Sequence, residues 1–298
     1  MTTIVEVKGL TKQYKDVTAV NNVSFTLEEH KIYGLLGRNG AGKTTVMHML
    51  TAQAFATSGD IRVFGEHPFE NSRVLSQICF VKESQRYPDV FRVCDALAVA
   101  ASMYPQWDAA FANDLLDRFA LPPKRNIKKL SRGMLSAVGI IIGLASRAPL
   151  TIFDEPYLGL DAVAREMFYE LLLEDYAAHP RTIVLSTHLI DEVSRMLEHV
   201  LVIDKGQLII NEDTDTLRSY AYTLAGPAAK VEPFLEGRQV TRREPLGSFM
   251  TASVIGELSR ADREKAQAEG LELLPVSLQQ LIVQLTHNQG SSKEAGIR

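Results

Sequence analysis

A glycine-rich octapeptide, GRNGAGKT at residues 37–44, contains the residue types best suited to binding phosphate. It fits the pattern G-x-x-x-x-G-K-[ST], in which glycines let successive backbone N–H groups point inward. Lys43 can reach the β- and γ-phosphates of a nucleotide, and the Thr44 hydroxyl can hold Mg²⁺. A chance glycine-rich turn is the alternative. The predicted nucleotide site comprises Gly37, Arg38, Asn39, Gly40, Ala41, Gly42, Lys43, Thr44 and Thr45.

Two adjacent carboxylates and one histidine follow apolar stretches and could complete this site. Asp154, in LTIFDEP at residues 150–156, is the candidate Mg²⁺ ligand at a strand end. Glu155 can accept a proton from an attacking water. His188 ends TIVLSTH (182–188), and the carboxyl ends of parallel strands face the ligand crevice. It could bond the γ-phosphate or orient the water. The carboxylates could instead favour a helix N-terminus, and the histidine could be structural.

The elements that must position these residues form an alternation of strands and helices. IYGLLG (32–37) predicts a buried strand, and a helix follows over 42–51. Further strands are predicted at 77–81, 150–156, 182–188 and 199–206, and helices at 108–120, 131–147, 161–179 and 189–198. TIVEVKGL and VNNVSFTLEE alternate like half-buried strands near the start. The pattern indicates a mostly parallel sheet covered on both faces.

Two segments interrupt the alternation. Residues 84–135 contain several turn-forming prolines and predict a mainly helical insertion. After residue 218, AYTLAG, FMTASVIG and LELLPV predict short strands, and AAKVEPFLEG, SRADREKAQAEG and SLQQLIVQLTH predict helices. This indicates a small α+β domain, and the polar tail NQGSSKEAGIR is predicted to be disordered.

Composition excludes several classes of protein. The chain has 298 residues, 46% of them hydrophobic, which is enough for a sizeable core. A net charge of −4 gives no case for nucleic-acid binding. Two cysteines, Cys79 and Cys94, form no disulfide framework. The first residues lack a secretory apolar region, and the longest apolar run, 137–145, is shorter than the roughly 20 residues of a membrane span. We therefore expect any membrane role to depend on a partner.

The order and spacing of the motifs resemble the ATP-binding subunit of an ABC transporter, of the exporter-type branch. The motifs are the octapeptide, LSRGM (130–134), LTIFDEP, GLD (159–161) and STH (186–188), and the resemblance covers about residues 4–215. It implies a P-loop NTPase of the ABC type, an α/β domain over 1–218. That domain has a mostly parallel sheet, N-terminal antiparallel strands and a helical subdomain at about 84–135. The small α+β domain with its disordered tail would then occupy 219–298.

The resemblance also gives LSRGM a role. In this family such a segment lies at a helix N-terminus and closes over ATP bound to a second subunit, through Ser131, Arg132 and Gly133. Ser131 is also placed to be an N-cap serine, and the two roles are compatible. Arg132 replaces a glycine of the family pattern and Met134 replaces a glutamine. Arg132 could strengthen the phosphate contact or could face solvent.

Three further residues match the family by position. Tyr14 matches the aromatic residue that stacks on adenine, although it could be an exposed strand tyrosine. Glu83 falls where the family has a glutamine that contacts Mg²⁺ or its water, with Gln85 as the alternative. Asp161 in GLD matches the loop that bridges two subunits near the catalytic water.

The resemblance implies an ATPase that needs ATP and Mg²⁺ and works as a homodimer or heterodimer with a second ATP-binding subunit. Glu155 would polarise the water and His188 would hold the γ-phosphate, while Lys43, with Mg²⁺ on Thr44 and Asp154, would neutralise charge. A separate membrane permease would dock on the helical insertion, which places the chain at the cytoplasmic face of a bacterial cell membrane. Residues 86–107 are the candidate contact surface; alternatively, they form a surface loop with a few packed aromatic residues. Export is favoured by analogy, and no nucleic-acid partner is expected. The alternative is a soluble ABC-type ATPase or a nucleotide-switched regulator.

Overall fold

The computed structural model describes residues 2–83 and 85–283, which form two compact units. The first runs to His188 and includes Met196–Asn211, and the second comprises Leu189–Arg195 and the chain from Glu212 onward. The sequence-based boundary at 218 falls later, within a helix, Thr214–Ser219, which contacts the first strand of the second unit. The predicted tail NQGSSKEAGIR lies outside the described residues.

The first unit is built on a six-stranded sheet. Its central strands are mostly apolar and are buried at every position, as expected where helices cover both faces. The strand order is β5-β6-β7-β3-β8-β9, and β3 pairs in parallel with β7 and β8. The strands are β3 (Ile32–Leu36), β5 (Ile78–Val81), β6 (Leu150–Asp154), β7 (Thr182–Thr187), β8 (His199–Asp204) and β9 (Gln207–Asp213).

A smaller antiparallel sheet of order β2-β1-β4 belongs to the same unit. Its strands are β1 (Thr3–Tyr14), β2 (Val17–Glu28) and β4 (Ser58–Val63). Pairs such as Val7 with Phe25 direct apolar side chains to the core that this sheet shares with β3. The predicted N-terminal antiparallel strands are therefore confirmed, whereas β4 was not predicted.

Helices complete the unit, all but α2 at or near predicted places: α1 (Lys43–Leu50), α2 (Ser72–Leu75), α3 (Val93–Met103), α4 (Ala109–Arg118), α5 (Arg132–Ala145) and α6 (Ala162–Ala178). No helix was predicted at α2. In the predicted insertion, α3 and α4 both pack on α5, and a single 3₁₀ turn, Ile127–Lys129, precedes α5. Asp108 caps α4 by accepting a hydrogen bond from Phe111 N at 2.9 Å.

The predicted helix over 189–198 is mostly absent. Only α7 (Ile190–Val193) is helical there. Residues 196–198 are held by β3 instead: Leu197 is buried against Gly34, and the Glu198 carboxylate accepts a hydrogen bond from Ile32 N at 2.8 Å. Tertiary contacts thus override the local helical pattern.

The second unit is a small α+β fold in which helices cover one face of a four-stranded antiparallel sheet of order β11-β12-β10-β13. The chain order strand–helix–strand–strand–helix–strand with this pairing is the ferredoxin-like arrangement. The elements that follow α8 (Thr214–Ser219) are β10 (Ala221–Pro227), α9 (Ala228–Phe234), β11 (Gln239–Leu246), β12 (Phe249–Ile255), α10 (Arg260–Ala268) and β13 (Glu272–Pro275). Residues 278–283 are also helical. Strand β11, largely exposed and rich in charge, was not predicted.

No helix within residues 2–83 and 85–283 combines the length and apolar character needed to cross a bilayer.

Candidate functional site

The glycine-rich segment forms a tight turn between β3 and α1. At Gly37, which has a φ of 152°, an added Cβ would lie 2.2 Å from the carbonyl oxygen of Ile203, so only glycine fits. Lys43 is buried at the start of α1, and its Nζ donates to the carbonyl oxygen of Gly37 at 2.7 Å. The turn therefore directs an ammonium group and a helix N-terminus to one point, which is an arrangement that attracts phosphate.

Two of the predicted magnesium ligands lie together, Thr44 in the first turn of α1 and Asp154 at the carboxyl end of β6. The Thr44 hydroxyl donates to Asp154 Oδ2 at 2.8 Å. The other carboxylate oxygen, Oδ1, is buried and has no hydrogen-bond partner among the described residues. A buried carboxylate oxygen is costly unless a hydrogen-bond donor or a cation contacts it. A hydroxyl and a carboxylate are the hard oxygen ligands that Mg²⁺ prefers, so these residues fit that ion.

Glu155 follows Asp154 in a left-handed backbone conformation, with a φ of 50°. Such a conformation is uncommon for a residue with a side chain and is concentrated at functional sites. His188 Nδ1 lies 2.9 Å from Glu155 Oε2, and Lys43 Nζ lies 3.8 Å from Glu155 Oε1. Burial raises the pKa of Glu155, and the neighbouring His188 and Lys43 oppose that rise.

A cavity of about 540 Å³ is lined by most of the residues predicted to form the site. Glu83 lines this cavity, whereas Gln85 lines a different one. The geometry thus places Glu83, rather than Gln85, beside the glycine-rich turn. The residues that line it are Ala19, Asn39, Gly40, Ala41, Gly42, Lys43, Thr44, Thr45, Glu83, Glu155, Leu158 and His188.

The segment around Ser131 is a helix start, as predicted. Ser131 Oγ caps α5 by accepting a hydrogen bond from Met134 N at 3.2 Å. Gly133 lies directly against the backbone of Gly159, since an added Cβ would be 2.4 Å from the Gly159 carbonyl oxygen. The exposed Arg132 side chain pairs with Glu83, with Nη2 and Oε1 3.1 Å apart. Within one chain, the segment therefore contacts the loop at 159–161 and the Glu83 carboxylate.

Asp161 and Tyr14 are among the predicted residues that do not line the cavity, as are Gly37, Arg38, Ser131, Arg132, Gly133 and Asp154. Asp161 caps α6, its carboxylate accepting a hydrogen bond from Ala164 N at 2.8 Å. Tyr14, at the end of β1, is 47% exposed, and Lys12 Nζ lies 4.8 Å from its ring centroid. An exposed aromatic face of this kind could stack on a base.

Sequence reasoning missed Tyr157. Its ring is buried, and its hydroxyl contacts Glu155, Thr187 and His188 together. A signal was available, because a tyrosine that follows two carboxylates at a buried strand end needs a partner for its hydroxyl.

Comparisons with known proteins agree with this geometry. The model of the ABC transporter family matches residues 20–158. The ABC transporter ATP-binding protein YtrB of Bacillus subtilis (strain 168) is 28% identical over 72% of this chain and 74% of its own length. The bacitracin transport ATP-binding protein BcrA of Bacillus licheniformis is 31% identical over 73% and 72%. The lantibiotic transport ATP-binding protein SrtF of Streptococcus pyogenes is 31% identical over 71% and 92%.

Solved structures give the same fold for the first unit. An ATP-binding subunit of an ABC transporter superposes with a TM-score of 0.66 at 26% identity, over 72% of this chain and 92% of that one. A dimeric post-hydrolysis state of the cassette MJ0796, bound to ADP and Pi, superposes with a TM-score of 0.63 at 22% identity, over 71% and 99%. The chain therefore belongs to the family of ABC transporter ATP-binding proteins.

Proposed function

We propose that this chain hydrolyses ATP as one of two paired ATP-binding subunits and thereby drives export through a separate membrane permease. The observation that carries the proposal is the single cavity in which Lys43, Thr44, Glu155 and His188 meet. Three relatives support the transport role, since their names assign them to bacitracin transport, lantibiotic transport and Nod factor export.

The charged and titratable side chains that line the cavity each have a proposed role in hydrolysis. The Lys43 ammonium would bind the β- and γ-phosphates, and the backbone amides of residues 38–45 would surround the phosphate chain. Glu155 Oε1, which has no hydrogen-bond partner among the described residues and faces Lys43, would accept a proton from the attacking water. His188 Nδ1 contacts Glu155, so the other ring nitrogen, Nε2, would be the one that holds the γ-phosphate.

Mg²⁺ would be held by Thr44 and Asp154, with Glu83 binding it directly or through a water. When bound, it neutralises charge that develops on the phosphate oxygens. The unpartnered Asp154 Oδ1 supports this assignment. Tyr14 would stack on the adenine ring, and its exposed face suits that contact.

The second subunit would contribute its own Ser131, Arg132 and Gly133 to each ATP. Ser131 and Gly133 lie at the N-terminus of α5, where the helix dipole favours a γ-phosphate. Asp161 would stand at the junction of the two subunits. The MJ0796 cassette, whose structure is dimeric, supplies the precedent for such pairing.

The permease would dock in a groove of about 630 Å³ beside the helical insertion. Both sides of the groove are apolar and aromatic: Ile78 and Phe80 belong to β5, and Val99 and Met103 belong to α3. Val99 and Met103 are 43% and 60% exposed. Such a surface suits the apolar face of a short cytoplasmic helix of the permease.

Two substitutions test the proposal. Glu155→Gln keeps size and hydrogen-bonding oxygen but removes the base, so kcat should fall about 10²- to 10⁴-fold while ATP-dependent dimers accumulate, measured by light scattering. Lys43→Ala should abolish ATP binding. Near-normal hydrolysis by Glu155→Gln, or tight ATP binding by Lys43→Ala, would refute the corresponding role.

A further inference from the structure

Tyr157 lies at the point where β6 and β7 end, and its side chain is 3% exposed. Its hydroxyl accepts a hydrogen bond from Thr187 Oγ1 at 2.8 Å and one from His188 N at 3.3 Å. The hydroxyl also lies 3.2 Å from His188 Nδ1. A phenolic hydroxyl has a single proton, so it donates to one acceptor.

The Tyr157 proton is donated to Glu155 Oε2. His188 Nδ1 lies 2.9 Å from the same oxygen. The other oxygen, Oε1, has no hydrogen-bond partner among the described residues and lies 3.8 Å from Lys43 Nζ. One oxygen of the carboxylate is thus held by two donors, while its second oxygen faces the glycine-rich turn.

These contacts to Oε2 matter because the backbone conformation of Glu155 does not by itself fix the orientation of its carboxylate. Glu155 follows the last residue of β6 with a φ of 50°, outside the strand geometry. A carboxylate on such a turn could rotate about its χ angles. A buried hydroxyl, itself oriented by Thr187, restricts that rotation, and charge-assisted hydrogen bonds to a carboxylate are the stronger kind.

We propose that Tyr157 is a positioning residue for ATP hydrolysis, which holds Oε2 of Glu155 so that Oε1 is aimed at the attacking water. The inference rests on the proposed role of Glu155 as the base. Tyr157 does not touch the nucleotide in this proposal, so it should affect the hydrolytic step and leave ATP binding unchanged.

The test compares Tyr157→Phe with a matched control, Tyr176→Phe, in the full-length chain. The Tyr176 hydroxyl also lies beside a carboxylate, 2.8 Å from Glu198 Oε2, and it is 2.6 Å from the carbonyl oxygen of His30, so its one proton is shared between these two acceptors. His30 lies two residues before the start of β3, at the end of this strand opposite to the cavity. Both variants lose a tyrosine hydroxyl, but only Tyr157→Phe loses one that contacts Glu155.

With Mg²⁺-ATP, Tyr157→Phe should lower kcat about 10- to 100-fold, with KM for ATP changed less than about twofold. Tyr176→Phe should lower the melting temperature and keep kcat within about twofold of the unsubstituted protein. An unchanged kcat for Tyr157→Phe, or equal losses in the two variants, would overturn the proposal.

A double substitution tests whether Tyr157 affects kcat through Glu155. If Tyr157 acts through Glu155, adding Tyr157→Phe to Glu155→Gln should lower kcat no further. An additional tenfold loss would show that Tyr157 acts elsewhere. Should Glu155→Gln alone hydrolyse ATP normally, the proposed base itself is wrong. Should Glu155→Gln be inactive and Tyr157→Phe fully active, only the positioning role is wrong.

Thr187→Val provides a second variant if Tyr157→Phe does not fold. It removes the hydroxyl that orients Tyr157, so kcat should fall about 2- to 10-fold at unchanged KM. Full activity of Thr187→Val would then count against the proposal.

Discussion

The contact between Gly133 and Gly159 makes a quantitative prediction for Gly133→Ala. The added Cβ would lie 2.4 Å from a backbone carbonyl oxygen, whereas ordinary van der Waals contact begins at 3.4 Å. The α5 N-terminus and the loop at 159–161 must therefore separate by about 1 Å. The clash is with backbone atoms, so no flexible side chain can move aside to relieve it. In the proposed dimer, both segments lie at the second subunit's ATP. A misplacement of about 1 Å near reacting groups costs roughly 100-fold in rate, which is the loss of kcat expected.

The assay is steady-state ATP hydrolysis by the purified protein, with ATP binding measured separately on the same samples. Binding to the glycine-rich turn of one chain should change little, because Gly133 does not line that cavity. ATP-dependent dimer formation, followed by light scattering, should weaken in parallel with kcat.

Gly139→Ala is the matched control, since it makes the same substitution in the same helix. Its added Cβ would meet a side-chain methyl, Val81 Cγ1, at 2.9 Å rather than backbone. It should cost stability, about 1–3 kcal/mol, without displacing the loop at 159–161. Hydrolysis by Gly133→Ala at the unsubstituted rate, or an equal loss of kcat in Gly139→Ala, would refute the reasoning.

Two further predictions concern stability and the permease. Because burial raises the pKa of Glu155, that carboxyl adds stability below its unfolded pKa of about 4.3, and this contribution is lost as pH rises through the folded pKa. In nucleotide-free buffer at pH 7–8, Glu155→Gln should therefore have a higher melting temperature than the unsubstituted protein. The difference in melting temperature should vanish below about pH 4. Equal melting temperatures at pH 7–8 would contradict this prediction. Val99→Glu should abolish co-purification with the permease from solubilised membranes. The control Leu173→Glu, on α6 at a similar exposure of 41%, should still co-purify. Co-purification of both variants would exclude the groove as the docking site.

The parts of the site that the sequence predicts are those fixed by chain order and strand direction. A glycine-rich turn after an apolar strand specifies the Lys43 and Thr44 positions, because few other backbone paths connect β3 to α1. Parallel strands end at the same edge, so Asp154 was expected near Thr44, and the structure brings them within 2.8 Å.

The parts that were missed depend on contacts between residues distant in the chain. The Tyr157 hydroxyl is directed by Thr187, and Arg132 pairs with Glu83, 49 positions away. No local pattern encodes either pair. Strand β11 escaped prediction for a different reason: as an exposed edge strand it carries Arg242, Arg243 and Glu244, which break the apolar alternation on which strand prediction depends.

The pairing of β10 with β13 in the second unit has an evolutionary consequence. These are its first and last strands, and Tyr222 near the beginning of one lies opposite Pro275 at the end of the other. The polypeptide thus enters and leaves this sheet at one end. A module whose two ends are adjacent can be inserted, replaced or deleted as a block during gene rearrangement. The flanking segments of the chain then need to bridge only the short distance between those ends. Residues 221–275 can therefore be exchanged as one block between homologous genes, whereas Leu189–Arg195 of the same unit stays with the nucleotide cassette.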